Sequence, residues 1–244
     1  MSSVTIATIP ESVWEGAHEL NPYTISVTQL IQFIGWGYES RIAMFSEDKK
    51  EKSEYLKKAI EHGNKYEREA LSLLSTEETV ILPAKHTSCL FKDVLMGTVD
   101  SYCWDPVSLE MGIVEIKCRY SNSFGRFVEE EVDVPFEKNK NNWKHWLQLQ
   151  LYLHMHQEYG ITYGLLCYFY KKGTADNNGE SILQVNRIKY EPLLWDGLCL
   201  DKEIKSYFEE YLSGKKKAGP VRKSKFITET LITTTLVQRR KLLG

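Results

Sequence analysis

The sequence predicts an α/β fold in which a mixed central β-sheet is flanked by helices. Two observations support this prediction. Amphipathic and short apolar segments follow one another in the order helix, three strands, helix, strand. The stretch 161–170 is apolar or aromatic almost throughout, which is typical of a strand buried on both faces of a sheet. We therefore expect residues 161–170 to form the central strand.

The composition places this chain of 244 residues among ordinary globular proteins, because 42% of its residues are hydrophobic, 26% are charged and 12% are aromatic. These figures exclude collagen-like and disordered chains. A formal net charge of −2 argues against a polycation that coats nucleic acid nonspecifically, but it leaves room for a focused basic groove. We expect one domain over residues 1–244, with its core at about 21–213 and a basic C-terminal extension over 214–244.

The cysteines and the apolar runs indicate the compartment. The chain has five cysteines, an odd number, and none of them form a C-x-x-C pair. This pattern favours reduced thiols over a disulfide framework or a zinc ribbon. The N-terminus lacks a signal-peptide pattern, and the longest apolar run, 160–170, is far shorter than the roughly 20 residues of a membrane-spanning helix. We expect a soluble intracellular protein, cytoplasmic or nuclear, without a membrane partner.

Two helical segments open the chain. Apolar residues recur at helical spacing over 27–38, and Ser26 or Thr28 would cap that helix. The charged segment 46–74 also carries apolar residues at helical spacing. It predicts one or two helices, broken or pinched near Gly63.

Three short segments predict strands, at 79–83, 92–102 and 112–118. A Trp-Asp-Pro turn at 104–106 separates the last two and predicts that they pair as a hairpin.

The second half of the chain alternates helix and strand. The segments are a helix over 139–159 stopped by Gly160, the central strand 161–170, an edge strand 181–190, a helix over 192–212 closed by Gly214, and a basic linker at 215–225.

The hairpin carries a group of charged residues. Asp100 ends one strand, and Glu115 and Lys117 lie two positions apart in the next, so they share one face. Burying such charges is costly without partners, and a divalent cation would offset that cost. Mg²⁺ commonly takes one or two carboxylates together with water and substrate phosphate, and the carbonyl of Ile116 is a plausible extra ligand. An ion-pair lattice on a solvated strand face remains the alternative.

Further motifs lie on either side of this group. In chain order they are Gly63, Glu67 and Ala70 on a predicted helix, GTVD at 97–100, VEIKC at 114–118, and Trp146, Gln148 and Gln150 on the next helix.

Taken together, these motifs resemble the PD-(D/E)xK nuclease superfamily, and most closely its lambda-exonuclease or YqaJ-type viral recombinase branch. The resemblance extends from about residue 21 to about residue 170. Arg119 departs from the pattern, because the branch has a proline after the EIKC string. The resemblance implies a restriction-endonuclease-like core and the hydrolysis of nucleic-acid phosphodiester bonds.

The resemblance also implies roles at the centre of the site. Asp100 and Glu115 would be the principal ligands of Mg²⁺ or Mn²⁺, as one or two ions, and Lys117 would be the amine that activates water. Glu67 would orient water or hold a second metal ion, although it is also one of several glutamates on a solvated helix. Gln148 and Gln150 lie about 200° apart on a helix, so only one can face the site, and we favour Gln148.

A second group of residues would contact DNA. Ser26 and Thr28 resemble the place where this branch binds a terminal 5′-phosphate, and ordinary helix capping is the alternative. Arg41 and Arg119 are candidate phosphate partners, unless they are simply solvated. Lys144 would belong to a DNA-gripping rim, or else to an ordinary helix N-terminus.

These inferences predict a metal-dependent DNA nuclease, acting as a 5′→3′ exonuclease on duplex ends in recombination or genome processing. A structure-dependent or RNA-cleaving endonuclease on the same core is one alternative. A catalytically silent nucleic-acid-binding module is another. The expected partners are duplex DNA with free ends, a single-strand annealing or binding protein, and further copies of the chain as a homo-oligomer.

Overall fold

The structure, a computed structural model, describes residues 25–35, 53–82, 89–91, 95–119, 142–171, 181–197 and 235–244. The helices in these ranges are α1 (Val27–Gly35), α2 (Glu54–Leu74), α3 (Asn142–Met155) and α4 (Leu193–Gly197), and a 3₁₀ turn spans Gln157–Tyr159. The strands in the same ranges are β1 (Ile25–Ser26), β2 (Val80–Leu82), β3 (Cys89–Phe91), β4 (Leu95–Gly97), β5 (Ser101–Asp105), β6 (Glu110–Cys118), β7 (Tyr163–Lys171), β8 (Ser181–Lys189) and β9 (Leu236–Leu243).

The larger sheet is mixed and has six strands in the order β2-β5-β6-β7-β8-β9. Its pair β6–β7 is parallel, and its other pairs are antiparallel. A parallel pair needs a crossover, and α3 lies between β6 and β7 in the chain. A smaller sheet has the order β1-β4-β3. The predicted α/β fold with a mixed central sheet and flanking helices is confirmed.

Helices cover both faces of the larger sheet. Buried side chains of α3, which include Trp146 and Leu149, pack in one cluster with Ile113 and Tyr168. Buried side chains of α2 pack in a second cluster, with residues of β6 and β7 that point the other way. Side chains 163–170 of β7 are all buried. The expected central strand at 161–170 is therefore confirmed.

The start of α1 is a capping box. The Ser26 hydroxyl oxygen accepts from the backbone N–H of Gln29 at 3.1 Å, and the Gln29 side-chain oxygen accepts from the backbone N–H of Ser26 at 3.0 Å. These two bonds satisfy donors that a bare helix start would leave unpaired. The predicted start of this helix, with Ser26 as its cap, is confirmed.

The expected break near Gly63 is wrong, because α2 continues without interruption over 21 residues. A Cβ atom built at Gly63 would meet nothing within 4 Å. A glycine in an exposed helix interior costs about 1 kcal/mol. The buried stripe formed by Tyr66, Ala70 and Leu74 outweighs that cost.

The single strand expected at 92–102 is also wrong. The described part of this segment contains β4, which belongs to the small sheet, and the beginning of β5, which belongs to the large one. The chain changes sheets after Gly97, where a Cβ atom would lie 2.4 Å from Cε1 of Tyr152. The close approach of α3 at Gly97 accompanies the end of β4.

The expected edge position of β8 is wrong as well, because β9 pairs with it in antiparallel register from Ile182–Leu243 to Ile188–Leu236. The C-terminal extension thus contributes a strand to the sheet. Trp146 on α3 donates from its indole N–H to the hydroxyl of Thr235, at 2.8 Å, just before β9.

Some predictions fall on residues outside the described ranges. Arg41, the basic linker 215–225 and most of the helix expected at 192–212 lie there. Among the described residues, no helix is long and apolar enough to cross a membrane.

Candidate active site

The hairpin of β5 and β6 brings Asp100 to the backbone of β6. Pairing of Ser101 with Val114 leaves Asp100 just beyond the last pair of the ladder. There its Oδ2 accepts a hydrogen bond from the backbone N–H of Ile116 at 2.6 Å. The carboxylate is therefore oriented by the strand that carries Glu115.

Glu115 and Lys117 project from β6 on one face, as the strand period predicts, and the Lys117 ammonium donates to Oε1 of Glu115. Glu115 is only 2% exposed. The side chain of Lys117 remains 23% exposed, so it reaches both the buried carboxylate and the solvent. The structure thus brings the three residues of the D…ExK pattern together.

This arrangement alters the acidity of Glu115. Burial raises the pKa of Glu115 to about 7, and the negative charges of Asp100 and Glu67 act in the same direction, while Lys117 opposes them. Burial would by itself lower the pKa of Lys117, but the negative charges of Glu115 and Asp100 outweigh it and raise that pKa. The ionised form of Glu115 is therefore disfavoured next to the other carboxyl groups.

The donor set fits a hard divalent cation. Oε2 of Glu115 is buried and has no hydrogen-bond partner among the described residues. Within those residues, no three His, Cys, Asp or Glu side chains are grouped as a metal cage. Mg²⁺ does not require such a cage, because it commonly keeps several waters and binds through one or two carboxylates. Asp100 and Glu115 supply two carboxylates of this kind.

Glu67 and Gln148 lie on the two helices that cover the faces of the sheet. Glu67 lies on α2, and its negative charge raises the pKa of Glu115 and of Cys118, at the end of β6. Gln148 lies on α3, where its amide donates to the hydroxyl of Tyr152 at 3.1 Å. The negative charge of Glu67 thus acts on the hairpin carboxyl group, although Glu67 lies on another element.

Gln150 has a structural role. It is fully buried, and its amide donates to the carbonyl of Lys189 at 2.9 Å. Its side-chain oxygen accepts from the backbone N–H of Glu191, also at 2.9 Å. Gln150 therefore ties α3 to the end of β8, in keeping with the expectation that Gln148 and Gln150 face different ways.

A further positive charge, that of Arg119, lies just beyond the end of β6. Arg119 follows the strand, and its guanidinium carbon lies 5.1 Å from the ring centroid of Tyr168. The Tyr168 hydroxyl is hydrogen-bonded to Nδ1 of His145 at 3.1 Å. Burial, followed by the positive charges of Lys117, Arg119 and Lys144, lowers the pKa of His145 well below its usual value. His145 is therefore uncharged at neutral pH.

Tyr168 was not expected at the site. It stands opposite Lys117 in the parallel pairing of β6 and β7, a register that spacing along the chain does not reveal. His145 shares the predicted helix with Gln148, three positions earlier, and this spacing is the one sequence feature that points to it.

Two of the remaining predicted DNA contacts, Ser26 and Thr28, lie at the start of α1. Ser26 is occupied in capping the helix, and Thr28 is exposed. β1 pairs with β4, with Ser26 opposite Met96, so this helix start adjoins the segment that leads to Asp100. A role of Ser26, Thr28 or Arg41 in binding DNA stays a prediction.

Comparison with known proteins supports the fold. A phage-related exonuclease from Haemophilus somnus 129PT matches with a TM-score of 0.54 and 15% identity, over 82% of this chain and 99% of that chain. At this identity the likeness shows the fold alone. A second structure, described as SSO0001, has a TM-score of 0.37 and 17% identity, over 83% of this chain and 81% of that one. This TM-score is too low to show a shared fold. No family model and no curated protein matches the chain.

Proposed function

We propose that this chain is a metal-dependent DNA nuclease that acts as a 5′→3′ exonuclease on duplex ends. The observation that carries the proposal is the acidic cluster at the hairpin, where the buried Oε2 of Glu115 lacks a partner among the described residues. The cluster stands on a fold that is similar to that of a phage-related exonuclease. A PD-(D/E)xK core of the lambda-exonuclease or YqaJ type is the finer form of the proposal.

Asp100, Glu115, the carbonyl of Ile116 and Glu67 would hold one or two ions of Mg²⁺ or Mn²⁺. When bound, such a cation polarises the phosphoryl group and makes water a stronger nucleophile. Two observations support this choice of residues: Asp100 is hydrogen-bonded to the backbone N–H of Ile116, next to Glu115, and the negative charges of Asp100 and Glu67 both raise the pKa of Glu115. Like charges at close range are stabilised by a cation.

Lys117 would place the attacking water and neutralise charge on the phosphate. Its raised pKa keeps it an ammonium at neutral pH, so it donates hydrogen bonds. Glu115 restrains the ammonium at one end, which reduces the entropy lost when substrate arrives. Gln148 would hold the same water from α3, opposite the departing 3′-oxygen.

Selection of ends would depend on a second set of residues. Ser26, Thr28 and Arg41 would recognise the terminal 5′-phosphate, and Arg119 and Lys144 would contact the DNA backbone. The positive charges of Arg119 and Lys144 act on His145, close to Lys117, which supports a basic approach to the site.

Digestion of end-labelled linear duplex and of closed circular duplex tests the proposal. We expect linear DNA to be shortened from its 5′ ends in Mg²⁺ or Mn²⁺, and not in EDTA, while circles survive. Ca²⁺ should support DNA binding without cleavage, because its looser coordination positions water poorly.

Three results would contradict the proposal. Equal cutting of circles would favour an endonuclease, and preferential cutting of RNA would change the substrate class. Binding without cleavage in any divalent metal would indicate a silent module.

A further inference from the structure

Arg119 is held in place by its own backbone. Its N–H donates to the carbonyl of Phe169 at 2.9 Å and so extends the pairing of β6 with β7 by one bond. The segment that carries the guanidinium is therefore attached to β7.

The side chain of Arg119 is oriented by an aromatic platform. Tyr168 is 2% exposed, and its ring lies 5.1 Å from the guanidinium carbon, within the range of a cation–π contact. The hydrogen bond from Tyr168 to His145 fixes that ring against α3, where the two ring centroids are 5.6 Å apart. Arg119 is thus connected through Tyr168 to the helix that carries Gln148.

The site has an acidic part and a basic part, which meet at the ion pair of Glu115 and Lys117 on β6. Asp100, Glu115 and Glu67 form an acidic part, in which the charges of Asp100 and Glu67 raise the pKa of Glu115. Lys117, Arg119 and Lys144 form a basic part, whose charges all act on His145. A nucleic-acid strand is complementary to the basic part, because it presents a regular row of phosphates.

We propose that Arg119, oriented by Tyr168 and His145, binds the backbone phosphate next to the scissile phosphodiester. The inference rests on the proposed function. Residues two apart in a strand are separated by about 6.6 Å. Arg119 is therefore offset from Lys117 and contacts a neighbouring phosphate. A guanidinium suits a phosphate because it carries a permanent positive charge and N–H donors. Tyr168 and His145 are positioning residues, since they act through Arg119.

The test measures DNA binding without cleavage. The full chain is titrated, in EDTA and over a series of KCl concentrations, against a fluorescent 5′-phosphorylated duplex. Arg119→Ala should weaken binding about tenfold and reduce the log–log salt slope by about 0.9, the value for one lost phosphate contact. Arg119→Lys should retain the slope, because it retains the charge.

Double variants test the positioning role. Tyr168→Leu should weaken binding about threefold in the wild-type background and have no further effect in Arg119→Ala. Tyr168→Phe, which keeps the ring, and His145→Gln should have smaller effects that also vanish in Arg119→Ala. A merely structural role for Tyr168 would give the same loss in both backgrounds.

A matched control, Arg187, lies near the first residues of β6 and β7, at the opposite end of these strands from Arg119. The guanidinium carbon of Arg187 lies 3.6 Å from the ring centroid of Tyr163, and Arg187 is bonded to Glu110, the first residue of β6, at 2.9 Å. Arg187→Ala should leave both the affinity and the salt slope unchanged.

An unchanged salt slope in folded Arg119→Ala would overturn the proposal, and so would an equal effect of Tyr168→Leu in both backgrounds. Assays of the same proteins in Mg²⁺ separate this outcome from failure of the proposed function. If the wild type does not cleave, the nuclease assignment fails, whereas a slope reduced by Arg119→Ala would still identify a phosphate contact.

Discussion

Glu115 is a carboxyl group in an environment that disfavours its charge. It is nearly inaccessible to solvent, and burial together with two neighbouring acids raises its pKa to about 7. Structural carboxylates are commonly paired in full, but here Oε2 has no partner among the described residues. A buried carboxyl group with a shifted pKa is a candidate for a functional role, because shifted pKa values cluster at functional sites.

Lys117→Ala is expected to reduce cleavage at saturating Mg²⁺ by about 10²-fold or more, because positioned groups of this kind contribute about 10²–10⁴-fold to catalysis. DNA binding in Ca²⁺ should change far less than cleavage, because the ammonium serves the transition state more than the ground state. Lys171→Ala is a matched control, since Lys171 is also bonded to a glutamate, Glu69, at 2.7 Å. Single-turnover rates measure the effect. Cleavage by Lys117→Ala within threefold of wild type would exclude the assigned role.

Asp100→Asn is expected to weaken Mg²⁺ binding about tenfold or more and to lower turnover. The amide oxygen can still accept from the backbone N–H of Ile116, so the fold should persist while a negative charge is lost. Calorimetric titration measures the affinity. The control is Asp105→Asn at the other end of β5, where Asp105 accepts from two turn N–H groups at 3.0 and 3.1 Å. Equal metal affinities for wild type and Asp100→Asn would remove Asp100 from the ligand set.

Between elements, polar side chains attach α2 to the sheet. Glu69 accepts from Lys171 at 2.7 and 2.8 Å and from the hydroxyl of Ser181 at 2.6 Å. Burial would raise the pKa of Glu69, but the hydrogen bonds from Lys171 and Ser181 outweigh it and lower that pKa. Because its folded-state pKa is lowered, Glu69 stabilises the fold above its ordinary pKa, and this contribution is lost as the pH falls.

Glu69→Gln is therefore expected to lower the free energy of unfolding at pH 7 by about 1 kcal/mol, the typical size of a half-exposed, charge-assisted contact. The difference from wild type should shrink as the pH falls below about 4. Glu54→Gln is the control, because its partner Lys58 is 3.9 Å away and both side chains are exposed. Urea titrations over pH 3–7 measure both. A loss independent of pH would contradict the linkage.

Two glycines distinguish packing from helix propensity. Gly97→Ala places a Cβ atom 2.4 Å from Cε1 of Tyr152 and should destabilise the fold by about 1–3 kcal/mol. Gly63→Ala meets nothing within 4 Å and should stabilise α2 by about 0.5–1 kcal/mol. Thermal unfolding of both variants is the measurement. Stabilisation by Gly97→Ala would show that space at Gly97 does not limit the side chain, and destabilisation by Gly63→Ala would show that helix propensity does not govern Gly63.

Over the whole molecule, the acidic and basic groups meet on β6, which lies between β5 and β7 in the larger sheet. Both faces of the sheet are covered there, by α3 and by α2. The net charge of −2 conceals this separation, just as it conceals the six cations within residues 215–225. Local charge therefore determines how such a chain approaches a polyanion.

The basic segment 215–225 is expected to contact the DNA backbone. Replacing its six cations with alanine should weaken binding alike for all sequences and lower the salt slope by nearly one for each lost phosphate contact. Single-turnover cleavage at saturating enzyme should remain the same, because the hairpin acids are unaltered. Scrambling the order of the segment at constant composition is the control. A salt slope equal to that of wild type would identify a linker.

Sequence alone was sufficient where spacing determines geometry. Strand periodicity placed Glu115 and Lys117 on one face, helical periodicity set Gln148 and Gln150 on different faces, and an unbroken apolar run identified β7. Each depends on neighbours within a few residues, whose relative positions follow from the repeat of the backbone.

Tertiary structure decided what depends on distant segments. The register that places Tyr168 opposite Lys117 joins strands separated by α3, and β9 reaches β8 from beyond residue 235. The predicted strand at 92–102 is divided between two sheets, because β4 pairs with β1 and β3 whereas β5 pairs with β2 and β6. Such contacts are chosen by the burial of whole faces, so no local pattern encodes them.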